Sequence, residues 1–227
     1  MSYAARLRYL PLVTLVFALA ATVTSCAVTQ EPLVAQGLLT GEPCGPPCWQ
    51  GLVPGVSSEE EVDELLRTNE YVHFHTVYDD RYEGGVATRW QRRGQTGAWN
   101  MFDVQDGVLE VMRMYCDSEV LLEQLIDRYG APDKFEAGLV MLDGPVHTKV
   151  DLFYLELGMM IELHLPADGP VLSPDTRVLK IQYFEPDALE DVLATIWLKK
   201  GVSLADLELR WLEDWRDWQG YGPLEVK

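Results

Sequence analysis

Residues 99–115 read WNMFDVQDGVLEVMRMY. Two β-like runs, WNMFDV (99–104) and VLEVMRMY (108–115), flank Gln105-Asp106-Gly107. Asp-Gly between such runs is the strongest short hairpin signal, because a two-residue turn needs positive φ at both central positions. Upstream, VATRWQR (86–92) and VHFHTVY (72–78) alternate apolar and polar residues, the period of a half-buried strand. The stretch from 72 to 115 therefore reads as a meander of three or four antiparallel strands.

A short helix is expected ahead of this meander. LVPGVSSEEEVDELLR (52–67) gives a turn and then a capping box, either Ser57-x-x-Glu60 or Ser58-x-x-Glu61. Its acidic first turn suits the helix dipole, and Val62, Leu65 and Leu66 supply an apolar face. The pattern then restarts. Asp117 or Ser118 is read as the cap of SEVLLEQLIDRY, with Leu122, Leu125, Ile126 and Tyr129 at i, i+3, i+4 and i+7, Gly130 closing it and Pro132 just beyond. Strands are expected at 150–157, 159–165 and 177–184, with a Pro/Gly/Asp loop at 166–175.

The C-terminal part reads as helical. Asp187-x-x-Glu190 caps DALEDVLATIWLKK, and SLADLELRWLEDWRDW (203–218) sets Trp211, Trp215 and Trp218 near one stripe. The last residues, QGYGPLEVK, are expected to be irregular. The fold class is thus α+β, with two helix-then-antiparallel-meander units, helices on one face, and added C-terminal helices. The expected division is a signal peptide at 1–25, a lipidated cysteine and tether at 26–43, a first unit at 44–116, a second at 117–185, and helices and tail at 186–227. Two such units make either one continuous sheet or two small ones.

The N-terminus indicates a compartment. Arg6 and Arg8 precede LPLVTLVFALAATV, the charged and apolar regions of a secretory signal. The apolar run is shorter than the ~20 residues of a spanning helix. Val23-Thr24-Ser25-Cys26 resembles the bacterial lipoprotein box, which implies that Cys26 is lipidated (palmitate among its acyl chains) and becomes the mature N-terminus. Ala27 at the next position imposes no retention at an inner membrane. The expected location is the bacterial cell envelope, extracytoplasmic, with the membrane as partner through the lipid.

Charge narrows the partners. The chain has 18 Lys+Arg and 36 Asp+Glu. Without Arg6 and Arg8 the remainder holds 16 basic against 36 acidic residues, a net charge of −20. Such a surface disfavours nucleic acid and anionic headgroups. Hydrophobic residues at 48% indicate a packed core.

Cys44-Gly-Pro-Pro-Cys48-Trp49 (44–49) looks like a redox dithiol, but its spacing is Cys-x₃-Cys and no helix follows until Ser57. A structural disulfide in an oxidising compartment is the preferred reading, with Trp49 as an apolar plug beneath it. Exchange chemistry and pairing with Cys116 are the alternatives, and Cys116 otherwise reads as a buried thiol. His73 and His75 share one face of the expected strand and offer two metal ligands; Asp79, Asp80 and Glu83 follow in the sequence, and His147 or His164 would complete a set. A solvent-facing strand explains the same letters. Trp211, Trp215 and Trp218 either pack on the sheet or form a platform for carbohydrate or a partner protein. The chain contains no Gly-x-Ser-x-Gly elbow, Walker loop, dinucleotide glycine pattern or His-Glu-x-x-His, so a non-enzymatic protein without cofactor is expected.

Residues 44–55, CGPPCWQGLVPG, resemble a motif of uncharacterised bacterial lipoproteins in which Pro-Cys-Trp-x-Gly-aliphatic-x-Pro-Gly precedes a short acidic helix. Tyr129-Gly-Ala-Pro-Asp133 and the closing Trp-rich, Gly-Tyr-Gly segment are similar to the same group. The resemblance implies a class and no mechanism. Gly55-Val-Ser-Ser-Glu-Glu-Glu-Val62 is similar, with one residue more, to the unit opening of small outer-membrane-assembly lipoproteins and of β-lactamase-inhibitor-protein-type tandem repeats. That likeness implies a protein-binding scaffold; together with the lipoprotein box, the repeated helix-meander pattern and the missing catalytic motifs, the expected function is a lipid-anchored scaffold binding a protein or an envelope polymer.

Overall fold

The computed structural model describes residues 33–116, 119–141, 144–188 and 215–226. The Asp106-Gly107 turn forms as its residues require, with φ of 49° and 80°. It joins β3 (Asn100–Gln105) to β4 (Val108–Tyr115), and Gln105 faces Val108 across the hairpin. Outward from β3 lie β2 (Gly85–Trp90) and the edge strand β1 (Tyr78–Tyr82). The second half supplies β5 (Lys134–Met141), β6 (Val146–Tyr154), β7 (Met159–Pro166) and β9 (Val178–Phe184). A short β8 (Val171–Leu172) pairs with β11 (Gly222–Pro223), and β10 (Arg216–Asp217) lies along β5. The large sheet has nine antiparallel strands in the order β1-β2-β3-β4-β9-β7-β6-β5-β10. The fold is therefore mixed α/β and mostly sheet, and all described residues belong to one compact unit, Pro32–Lys227.

Three helices, α1 (Leu33–Thr40), α2 (Glu59–Thr68) and α3 (Leu122–Tyr129), are present among the described residues. The capping box of α2 uses Ser58. Its hydroxyl accepts from Glu61 N–H at 3.3 Å, and the Glu61 carboxylate accepts from Ser58 N–H at 2.8 Å. Ser57 is buried, and its Oγ accepts from Val53 N–H at 3.1 Å. Val34 and Leu38 of α1, Val62 and Leu66 of α2, and Leu122 and Leu125 of α3 join one core with Trp90, Phe102, Leu152 and Ile161 of the sheet. A smaller cluster, Val111, Phe153, Met160 and Phe184, holds the residues that alternate to the other side.

Several expectations are corrected. The strand expected at 72–78 does not form, and only Tyr78 is extended into β1: Val72 bridges to Arg92, and Phe74–Thr76 is a 3-10 turn. Thr76 Oγ1 closes that turn by donating to His73 O at 2.7 Å and accepting from Gln91 N–H at 2.9 Å. Helix α3 begins at Leu122, because the backbone before it is drawn into the sheet: Leu121 bridges to Arg177, and Val120 O accepts from Val178 N–H at 2.9 Å. Residues 33–40 of the expected tether are helical, with Val34 and Leu38 at 1% and 0% exposure. At the C-terminal end, 215–218 is extended rather than helical, and 222–223 pairs with β8. The signal, the Cys26 box, Trp211 and all of the helix read at 187–200 beyond Ala188, where Pro186–Ala188 is a 3-10 turn, lie outside the described residues.

Gly158 shows the tightest backbone constraint. Its φ is 57°, and a Cβ there would stand 2.2 Å from Phe184 O. Phe184 N–H donates to Gly158 O at 2.9 Å, so this contact ties the β6–β7 turn to the end of β9. Gly158→Ala is expected to cost about 2 kcal/mol or more, from the left-handed backbone and the displaced hydrogen bond. Urea unfolding of the full chain measures it; a loss under about 0.5 kcal/mol would contradict the crowding.

Candidate functional site

Alternation places a row of polar side chains on the sheet face opposite the helix-packed core. In register, Tyr115 faces Lys180, Lys180 faces Glu162, Glu162 faces Asp151 and Asp151 faces Glu136. On one side of this row Arg113 faces Gln182, and on its other side His164 faces Lys149. Cross-strand neighbours on one face stand close enough for their side chains to interact. Lys180 Nζ donates to Glu162 Oε2 at 2.8 Å, and Lys149 Nζ donates to Asp151 Oδ2 at 2.5 Å. Lys149 also lies 3.9 Å from Glu162. His164 Nε2 lies 3.0 Å from Glu162 Oε1, and its ring stacks on His147 at 6.1 Å. Lys180 Nζ sits 5.1 Å above the Tyr115 ring, and Arg113 Nε donates to Gln182 Oε1 at 2.8 Å.

This cluster is half shut. The Glu162 and Asp151 side chains are 9% and 10% exposed, whereas Lys149 reaches 35%. Burial opposes ionisation of Glu162, but Lys180 and Lys149 outweigh it and hold the carboxyl below its ordinary range. Burial lifts Asp151 above its ordinary range despite Lys149. Lys149 loses from burial and gains more from Asp151 and Glu162, so its ammonium is retained. Asp151 Oδ1 and Gln182 Nε2 are buried without a hydrogen-bond partner. Chemically, the arrangement fixes charges of both signs in place on a rigid surface.

The sequence-derived candidates fall elsewhere. Cys44 and Cys48 are disulfide-bonded with Cα atoms 5.6 Å apart, and no helix starts between them and Glu59, so the helix that activates an exchange dithiol is missing there. Trp49 beside them is 2% exposed and stacks on Trp90 at 5.5 Å. Cys116 is not part of that bond; it is half-buried against the core. His73 and His75 have ring centroids 6.0 Å apart on the 3-10 turn, and His147 and His164 pair with each other in the second half. Asp79 bonds Thr88 and Asp80 lies 4.0 Å from Arg89. Among the described residues no group of three His, Cys, Asp or Glu is arranged to hold a metal ion. Trp215 packs on Phe153 at 4.7 Å and Trp218 on Phe135 at 6.4 Å. Those partners belong to the two different core clusters, so the two indoles sit on opposite sides of the sheet instead of on one platform.

The charged rows had a visible signal in Lys149-Val-Asp151, Glu162-Leu-His164 and Lys180-Ile-Gln182, where a charge alternates with an aliphatic residue. What was missing was the strand order that brings the three together. No protein-family model, curated protein or solved structure matches the chain.

Glu162→Gln leaves Lys180 and Lys149 without their shared counter-charge and is expected to cost about 3 kcal/mol in urea unfolding. The His164 proton gives a pH dependence. Burial holds His164 below its ordinary value, against Glu162 and with help from Lys180 and His147. The unfolded chain then binds this proton more readily, so stability falls as pH drops below about 6.5. His164→Gln should lessen the fall in Tm between about pH 7.5 and 5.5; an unchanged slope would exclude His164 as its source.

Proposed function

We propose that the chain is a lipid-anchored, extracytoplasmic scaffold of a bacterial envelope that binds a protein or envelope polymer and catalyses no reaction. The single observation that carries the binding half is the sheet face described above: its rows of charged side chains are locked by ion pairs before any partner arrives, which lowers the ordering cost of association. Lys149 at the margin is the member most open to solvent. The anchoring half rests on the secretory signal and the Cys26 box. Helix α1 starts at Leu33, and the seven peptide steps from Cys26 span at most about 25 Å, so an acylated Cys26 would hold the folded body against the bilayer.

The same reading takes 44–116 and 117–185 as two copies of one unit. Helix α2 precedes β1–β4, helix α3 precedes β5, β6, β7 and β9, and the last long strand of each half meets the other at the sheet centre. The likeness to tandem-repeat inhibitor and assembly proteins fits a recognition sheet of this kind.

Expression of the full chain in a bacterial host tests the anchor. The wild type should fractionate with membranes and carry added acyl mass on Cys26. Cys26→Ala should lose that mass and remain as the uncleaved precursor. A soluble wild type ending elsewhere than Cys26 would overturn the anchoring half. For the binding half, a partner recovered by crosslinking in intact cells should be lost with Lys149→Glu, assayed at a temperature where that variant, with its lowered Tm, is still folded; retention would overturn it.

A further inference from the structure

The end of the sheet where β1, β2 and β3 meet carries a second surface, on the same face as the charged cluster and joined to its Arg113–Gln182 pair through Met101, which faces Arg113. Phe74, Tyr78 and Trp99 are 50%, 59% and 45% exposed there, whereas the core aromatics Trp90 and Phe102 are fully buried. Of the large aromatics exposed among the described residues, Tyr221 alone lies outside this end. Tyr78 faces Arg89 and Arg89 faces Met101 across the ladder. Trp99 immediately precedes β3, next to the Asn100–Trp90 pair that ends its ladder with β2. His73 N–H donates to Gln91 O at 2.9 Å, and this holds the Phe74 turn against the end of β2.

The surface is also locally basic. RWQRR (89–93) holds three arginines in a chain whose net charge is −18; Arg92 lies over the Tyr71 ring, and Arg89 and Arg93 are the two that belong to this surface. The Arg89 side chain is 50% exposed and its nearest carboxylate, Asp80, is 4.0 Å away, a weak pairing. Arg93 is exposed, and its N–H donates to Tyr71 O at 2.9 Å, beside the exposed Glu70. Asp79 is turned away, accepting from Thr88 Oγ1 at 2.8 Å.

We infer that this end of the sheet is a binding site for an acidic polysaccharide, with Tyr78 and Trp99 stacking on sugar rings and Arg89 and Arg93 taking the carboxylates. Aromatic faces present flat apolar area at small entropic cost, and guanidinium forks match carboxylates in bidentate geometry. The strongly acidic remainder of the surface repels a broad polyanion such as an anionic bilayer or duplex nucleic acid, and confines a narrow chain to the one basic end. The inference does not rest on the lipid anchor or on the charged rows.

The test is calorimetric titration of the full chain in neutral detergent with polygalacturonate, using dextran and phosphatidylglycerol vesicles as comparison probes. Saturable binding of polygalacturonate is expected, weakened by salt and absent with dextran. Trp99→Ala and Arg89→Ala should each weaken it about tenfold at unchanged Tm. Leu139→Ser, in the far half of the sheet, should leave it as in the wild type. The inference is overturned by absent binding, by equal binding of dextran, by binding of the vesicles alone, or by wild-type affinity in both Trp99→Ala and Arg89→Ala.

Discussion

The pairing of β4 with β9 is the constraint on which the rest of the molecule depends. Five register pairs, from Val111–Phe184 to Tyr115–Lys180, join the two halves at the middle of one sheet. Separated there, each half would present a long unpaired strand at its edge and a half-covered apolar face, which is costly in water and prone to wrong pairing. Joined, the strands give the three described helices one continuous surface to pack on, and Met114 and Ile181 become fully buried at the seam.

The same seam builds the polar face. Lys180 lies on β9, between Tyr115 of β4 and Glu162 of β7, so the charged row exists only because the central pair is in register. A one-residue slip would exchange Lys180 for Ile181 and place a charge in the helix-side core. The buried ion pairs thus act as a check on register as well as a fixed surface, since an unpaired charge in either position is heavily disfavoured.

Much of the architecture was readable along the chain. The Asp106-Gly107 hairpin, the Ser58 capping box and the Gly130 terminus follow from backbone preferences that a few adjacent residues decide. Strand β1 was not readable, because its YDDRY sequence lies at an edge with no alternating apolar face. The tryptophans at 215 and 218 carried a helical period, yet β5 draws Arg216 and Asp217 into its ladder, and extended backbone sends the two rings to opposite faces. Cys44–Cys48 was legible from spacing and prolines, while the stacking of Trp49 on Trp90 needed the folded core.

By itself, then, the sequence determined the features set by short-range backbone and charge rules: which segments turn, which cap a helix, which alternate, and that the chain is strongly acidic. Tertiary structure alone decided which strands are neighbours, and with that which side chains share a surface. Lys149, Glu162 and Lys180 form one network, and Tyr78, Arg89 and Trp99 share one end of the sheet, although neither set is contiguous in the chain. The physical reason is that strand order comes from long-range burial and hydrogen-bond pairing, whose cost and gain depend on the whole core at once.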